Sequence, residues 1–124
     1  RYSTELEADA IKQRVEEILN EDDMDYEAIW HLSGEPFLTT ETELIDSVVK
    51  SVEDVTGIKP QLSTSGGTSD GRFISPSGAQ VVELGPCNAT IHKIDERIRI
   101  SDIELLSSTY EAVLANLNKL VVSS

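Results

Sequence analysis

Apolar positions recur at helical spacing in three stretches of the chain. In the first, Leu6, Ile11, Val15, Ile18 and Leu19 fall on one face. Thr4 with Glu7 predicts a capping box at its start, and Asn20 with the acidic run after it predicts its end. In the second, Leu44, Ile45, Val48, Val49, Val52 and Val55 form the stripe, Thr40 with Glu43 repeats the capping device, and Gly57 followed by Pro60 predicts the stop. The third opens at Ser101 with Glu104 and carries Ile103, Leu106, Tyr110, Val113, Leu114, Leu117 and Val121 down one side.

Between these helices the period changes to two. Tyr26, Ala28, Trp30 and Leu32 alternate as one face of a strand would, and His31 within it reads as structural. Ile58–Leu62, Ala79–Leu84 and Arg97–Ile100 are further strand candidates, the second of them apolar enough for a buried strand. Alternating helices and strands predict an α/β or α+β class, with a mixed sheet packed by helices. Ser33-Gly34-Glu35-Pro36 reads as a hinge between two parts.

At 124 residues and 39% hydrophobic content, the chain has one domain's worth of material and a modest core. Its formal net charge is −13. That balance argues against nucleic acid or an anionic membrane surface as partner, since both require positive charge. No apolar run reaches a membrane span. A single cysteine, Cys87, read here as buried, permits no internal disulfide and suggests a reducing, cytoplasmic setting. The acids crowd into residues 1–56, while residues 57–124 are nearly neutral, as a solvated first half or an anion-binding second half would produce. Glu21-Asp22-Asp23-Met24-Asp25 lacks the Gly and the closing Glu of a calcium loop and reads as a solvated turn.

Two loops could carry chemistry. Ser63 through Arg72 is rich in small and hydroxyl residues, which lets backbone N–H groups approach an anion, and Arg72 offers a bidentate fork for a carboxylate. No Lys follows its glycines, so it is not a phosphate-binding P-loop; on composition alone it is a turn or a ligand loop. The second, Gly85 through Glu96, follows the apolar strand candidate and holds Cys87, Asn88 and His92. A lone His is a metal ligand, a general base, or neither.

These runs carry a resemblance. Ser65-Gly66-Gly67-Thr68-Ser69-Asp70-Gly71-Arg72-Phe73, then Glu83-Leu84-Gly85-Pro86 and Asn88-Ala89-Thr90-Ile91-His92-Lys93, resemble the last third of the succinyl-diaminopimelate desuccinylases, a group of aminoacylase-like zinc hydrolases. Arg1-Tyr2-Ser3-Thr4 and the stretch Trp30 through Thr39 are similar to it as well. The resemblance implies that residues 1–35 close a lid and dimerisation domain and that residues 36–124 close a zinc-peptidase-like catalytic domain. It implies His92 as a zinc ligand, and Arg1, Ser33, Gly67, Thr68 and Asn88 as substrate contacts, with Arg72 either a contact or a brace for its loop. Asp95 departs from the Asn usual there.

The implied reaction is hydrolysis of N-succinyl-LL-2,6-diaminopimelate, on the route to lysine, by a homodimer holding two zinc ions that cobalt could replace. The substrate carries several carboxylates. The remaining ligands, the general base and a lid histidine would belong to the N-terminal part of such a protein. Zinc requires three or four protein ligands, so the isolated chain is expected to be inactive and to retain no metal. Two other readings stay open: a sibling deacylase acting on acetylornithine or another acylated amino acid, and a non-catalytic interaction module.

Overall fold

The computed structural model describes residues 2–21, 25–65, 67 and 69–122, with side chains described as far as Lys119. Helix α1 spans Ala8–Glu21, α2 Thr42–Thr56, α3 Gly71–Ile74 and α4 Ile100–Val122, and a short 3₁₀ turn, Ser75–Ser77, follows α3 directly. The three long helices lie where the apolar spacing places them. The described chain divides into two units, one of residues 1–38 with 67–79, the other of residues 39–66 with 80–124.

In the first unit, α1 does not start at the expected capping box. Ser3 Oγ accepts the Glu5 N–H at 3.4 Å and the Ser3 carbonyl accepts the Leu6 N–H at 3.2 Å. This turn competes with helix at Thr4, and the first helical carbonyl is that of Glu7, bonded to the Ile11 N–H. No residue of α1 is fully buried. Residues 25–41 form neither helix nor strand, and Trp30 Nε1 donates to Glu16 at 3.2 Å while the Tyr26 hydroxyl donates to Asn20 at 3.3 Å. Both expected faces of that segment are exposed: Ile29 is 87% exposed, Leu32 48%, Trp30 42% and Tyr26 37%.

The second unit is built on α2 against α4. The expected apolar stripes are covered only in part. The buried positions are Ser47 and Ser51 on α2 and Thr109 and Val113 on α4, and Val113 is the one buried hydrophobic side chain among the described residues. Ser51 Oγ donates to the Ser47 carbonyl at 2.6 Å and accepts from Asn116 Nδ2 at 2.9 Å; Thr109 Oγ1 donates to the Leu105 carbonyl at 2.8 Å. Small residues let the helices pack together, and bonds back to helix carbonyls satisfy the hydroxyls of Ser51 and Thr109. Leu44, Ile45, Val48, Val49, Val52 and Val55 are only half-buried, and Ile103, Tyr110 and Leu114 are exposed.

The ends of α2 show one expectation met and one corrected. Gly57 takes the left-handed conformation (φ 71°) and its N–H bonds to the Glu53 carbonyl at 2.8 Å, as a C-terminal glycine should. At the start, Glu41 and not Thr40 is the cap residue, and its side chain makes no cap bond. The free N–H of Leu44 is met from far along the chain by Gln80 Oε1 at 3.3 Å, and Gln80 Nε2 donates to the Glu41 carboxylate.

The expected mixed sheet does not form: among the described residues no strand is present. Tyr26–Leu32, Ile58–Leu62, Ala79–Leu84 and Arg97–Arg99 are non-helical and unladdered, and Ile100 opens α4. A strand exists only when a neighbour takes its backbone N–H and C=O groups, and here no segment supplies that row. One pairing is made through a side chain. Thr39 Oγ1 donates to the Val81 carbonyl at 2.5 Å and accepts the Val81 N–H at 3.2 Å.

If small residues hold the α2–α4 seam, volume added at Ser51, which is fully buried, forces the helices apart. Ser51→Leu is expected to cost about 1–3 kcal/mol of unfolding free energy in urea titrations. Ser51→Ala should cost about 1 kcal/mol through the lost Asn116 bond. A Leu at 51 that raised stability would contradict this packing.

Candidate functional site

The site residues suggested by the sequence fall in both units. Arg1, Thr68 and the Asp22–Met24 part of the acidic turn lie outside the described residues.

In the first unit, residues 33–36 and the glycine-rich run meet. A Cβ placed on Gly34 would lie 2.5 Å from Arg72 Cδ and 3.1 Å from its Nε, so the backbone beside Ser33 runs directly under the Arg72 side chain. Ser33 is exposed and Arg72 half-buried. Arg72 stacks over Phe73, its guanidinium carbon 4.5 Å from the ring centroid. Its Nε is buried and has no hydrogen-bond partner among the described residues. A buried donor left unpaired costs on the order of 1–3 kcal/mol, so this one is poised for an acceptor. The run expected as a loop is partly helical: Ser69 Oγ accepts the Gly71 N–H at 3.1 Å and the Asp70 carbonyl accepts the Phe73 N–H at 2.9 Å, which starts α3. Gly67 is exposed ahead of it.

The Tyr2 hydroxyl donates to Glu35 Oε2 at 2.6 Å and ties the start of the described chain to the segment of residues 33–36. The bond holds the phenol proton, the nearby carboxylate opposes a phenolate, and the Tyr2 pKa is pushed up to about 12.

In the second unit, the loop 85–97 is knotted by Asn88 and Thr90. Asn88 Oδ1 accepts the Thr90 N–H at 2.9 Å and lies 2.8 Å from the Thr90 hydroxyl; Asn88 Nδ2 donates to Glu96 Oε1 at 2.6 Å. Thr90 Oγ1 accepts the Arg97 N–H at 2.9 Å and is 3.0 Å from the Arg97 carbonyl. Thr90 is the hub of this loop, and composition gave no sign of it. Inside the knot the Thr90 carbonyl accepts the Lys93 N–H at 3.0 Å, a turn whose third residue is His92. His92 has φ 62°, alone among described non-glycine residues in being positive. That conformation costs a side-chain-bearing residue roughly 1–2 kcal/mol, so the turn presents an imidazole where Gly or Asn would sit with less strain. His92 is exposed. Cys87, expected to be buried, is exposed and free.

The described residues do not by themselves fit a metal ion. No group of three or more His, Cys, Asp or Glu side chains among them could hold one, and His92 is a single donor. No described helix is long and apolar enough to cross a membrane.

The model of peptidase family M20/M25/M40 matches residues 3–116, most of the chain and both candidate loops. The chain belongs to this family. Among family relatives, the succinyl-diaminopimelate desuccinylase of Hahella chejuensis is 59% identical over the whole of this chain, which spans 32% of that protein. Those of Methylococcus capsulatus and Alkalilimnicola ehrlichii are 56% and 57% identical over 94% of this chain and 31% of their own lengths. The chain therefore spans about a third of the length of the relatives it matches.

The Tyr2–Glu35 bond has a pH signature. Because the folded pKa is raised, its contribution is complete below about pH 10, the ordinary tyrosine value, and is lost as pH rises through about 12. Ultraviolet titration should show one tyrosine ionising near the upper value, and Glu35→Gln should return that step to the ordinary range. An unchanged titration in Glu35→Gln would contradict the contact.

Proposed function

We propose that this chain forms the substrate- and metal-facing C-terminal portion of a succinyl-diaminopimelate desuccinylase, which hydrolyses N-succinyl-LL-2,6-diaminopimelate to succinate and LL-2,6-diaminopimelate. The observation that carries this reading is the 59% identity, over every residue of the chain, to a relative of that name. In this reading residues 1–35 belong to a lid and dimerisation domain and residues 36–124 to the catalytic domain of a cytoplasmic homodimer. The extended segments find their sheet partners in the rest of the protein.

His92 is the chain's contribution to a metal centre of zinc, or of cobalt in its place. When bound, the metal polarises the amide carbonyl and activates water; the other ligands come from outside this chain. The strained turn aims the imidazole before the metal arrives, so little ordering remains to be done on binding. Asn88 commits one amide proton to Glu96 and offers the second to a substrate carboxylate. Arg72 Nε, Gly67 and Thr68, with Ser33 and Arg1, supply further donors for an acid with several carboxylates. The near-neutral second half keeps like charge away from that substrate.

The test uses the protein at its natural length. It should turn over the succinylated substrate far faster than acetylornithine; the reverse preference would make it a sibling deacylase. His92→Gly should abolish most activity and lower metal content without lowering the unfolding temperature, because glycine relieves the turn. Asn88→Ala should raise KM or lower kcat by about 10- to 150-fold, the loss of one charge-assisted bond, with a smaller loss of metal than His92→Gly, because it also unties the bonds to Thr90 and Glu96. A His92→Gly protein with full metal content and full rate would overturn the assignment.

A further inference from the structure

The hydrogen bonds of residues 88–97 close among themselves, so they fix the shape of the loop and not its place in the unit. Its place is set by the two stems. The trailing stem runs into α4, whose first residue is Ile100. The leading stem, residues 80–84, has no strand neighbour among the described residues, yet side chains fasten it at both ends. At its start Thr39 takes both backbone groups of Val81, at 2.5 and 3.2 Å, and Gln80 Oε1 accepts the Leu44 N–H in the first turn of α2. At its end the Tyr110 hydroxyl donates to the Leu84 carbonyl at 2.6 Å, one residue before Gly85-Pro86.

Tyr110 lies on α4, the helix that also receives the trailing stem, so its one bond closes residues 85–99 into a ring on that helix. Closing a loop removes conformational freedom, and a reacting group displaced by about 1 Å can lose on the order of 100-fold in rate.

We propose that Thr39, Gln80 and Tyr110 are positioning residues: their hydrogen bonds to Val81, Leu44 and Leu84 hold the stem that aims Asn88 and His92. The proposal rests on the functional reading above for its kinetic consequence, and on the geometry alone for its dynamic one.

The experiment takes the natural-length protein and the variants Thr39→Val, Thr39→Ser and Tyr110→Phe, each of which keeps the shape of its side chain or its hydroxyl. Amide hydrogen exchange at Thr90, Lys93 and Arg97 is measured beside the unfolding temperature, metal content, and kcat and KM on the succinylated substrate. Thr39→Val and Tyr110→Phe should speed exchange across 88–97 by about 3- to 10-fold, the worth of one neutral hydrogen bond. They should lower kcat by a similar factor with KM and unfolding temperature little changed, and Thr39→Ser should restore both readouts. Unchanged loop exchange, or a Thr39→Ser protein as impaired as Thr39→Val, would overturn the proposal. So would uniformly faster exchange over α2, α4 and the loop together, which is the mark of general destabilisation. If the wild-type protein does not hydrolyse the succinylated substrate, the functional reading fails, and loop exchange alone decides whether these residues position the loop.

Discussion

The close approach of α2 and α4 along Ser47, Ser51, Thr109 and Val113 is the constraint on which the second unit depends. Hydroxyls at a helix seam would be a liability without partners. Here Ser51 and Thr109 bond back to carbonyls one turn earlier, and Ser51 also receives Asn116 across the seam. Since the contact uses small residues, it leaves the larger apolar side chains on the flanks. The same pair of helices then supports the loop: α2 donates its Leu44 N–H to Gln80, and α4 holds Leu84 through Tyr110.

The flanks explain why so little is buried. Burying a Leu or Ile side chain is worth about 1.5–3 kcal/mol, and this chain leaves Ile58, Leu62, Ile103, Leu114 and others more than half exposed. In the proposed reading, the rest of the protein covers these outward faces. The unladdered segments point the same way. Thr39 satisfies both backbone groups of Val81 with one hydroxyl, which is the smallest substitute for a strand neighbour that a side chain can make.

What could be read in the sequence follows from which interactions are local. The helices were legible because the 3.6-residue period is a property of one segment, and Gly57 marked its stop because a left-handed terminus needs glycine. The caps at Thr4 and Thr40 misled, since a turn at Ser3 and the distant Gln80 claim those ends. The strand expectations were not met: the alternating residues Tyr26, Trp30 and Leu32 are exposed, and a ladder needs a second segment. At the candidate site, the composition of two loops drew attention to Arg72, Asn88 and His92, and the resemblance implied their roles. The reason His92 stands out physically, its positive φ inside the Thr90 turn, is a three-dimensional fact. Thr90, Gln80 and Tyr110 gave no signal, because each acts through a partner far along the chain or through a backbone group that no motif records.

The account holds that this chain aims one imidazole into a metal centre completed by the rest of the protein. Anomalous diffraction from crystals of the natural-length, metal-loaded protein tests that most directly. The account predicts a metal peak at bonding distance, about 2.0–2.1 Å, from an imidazole nitrogen of His92, with His92 still in its left-handed turn. A fully ligated metal built from other residues, with the His92 ring turned to solvent, would contradict it.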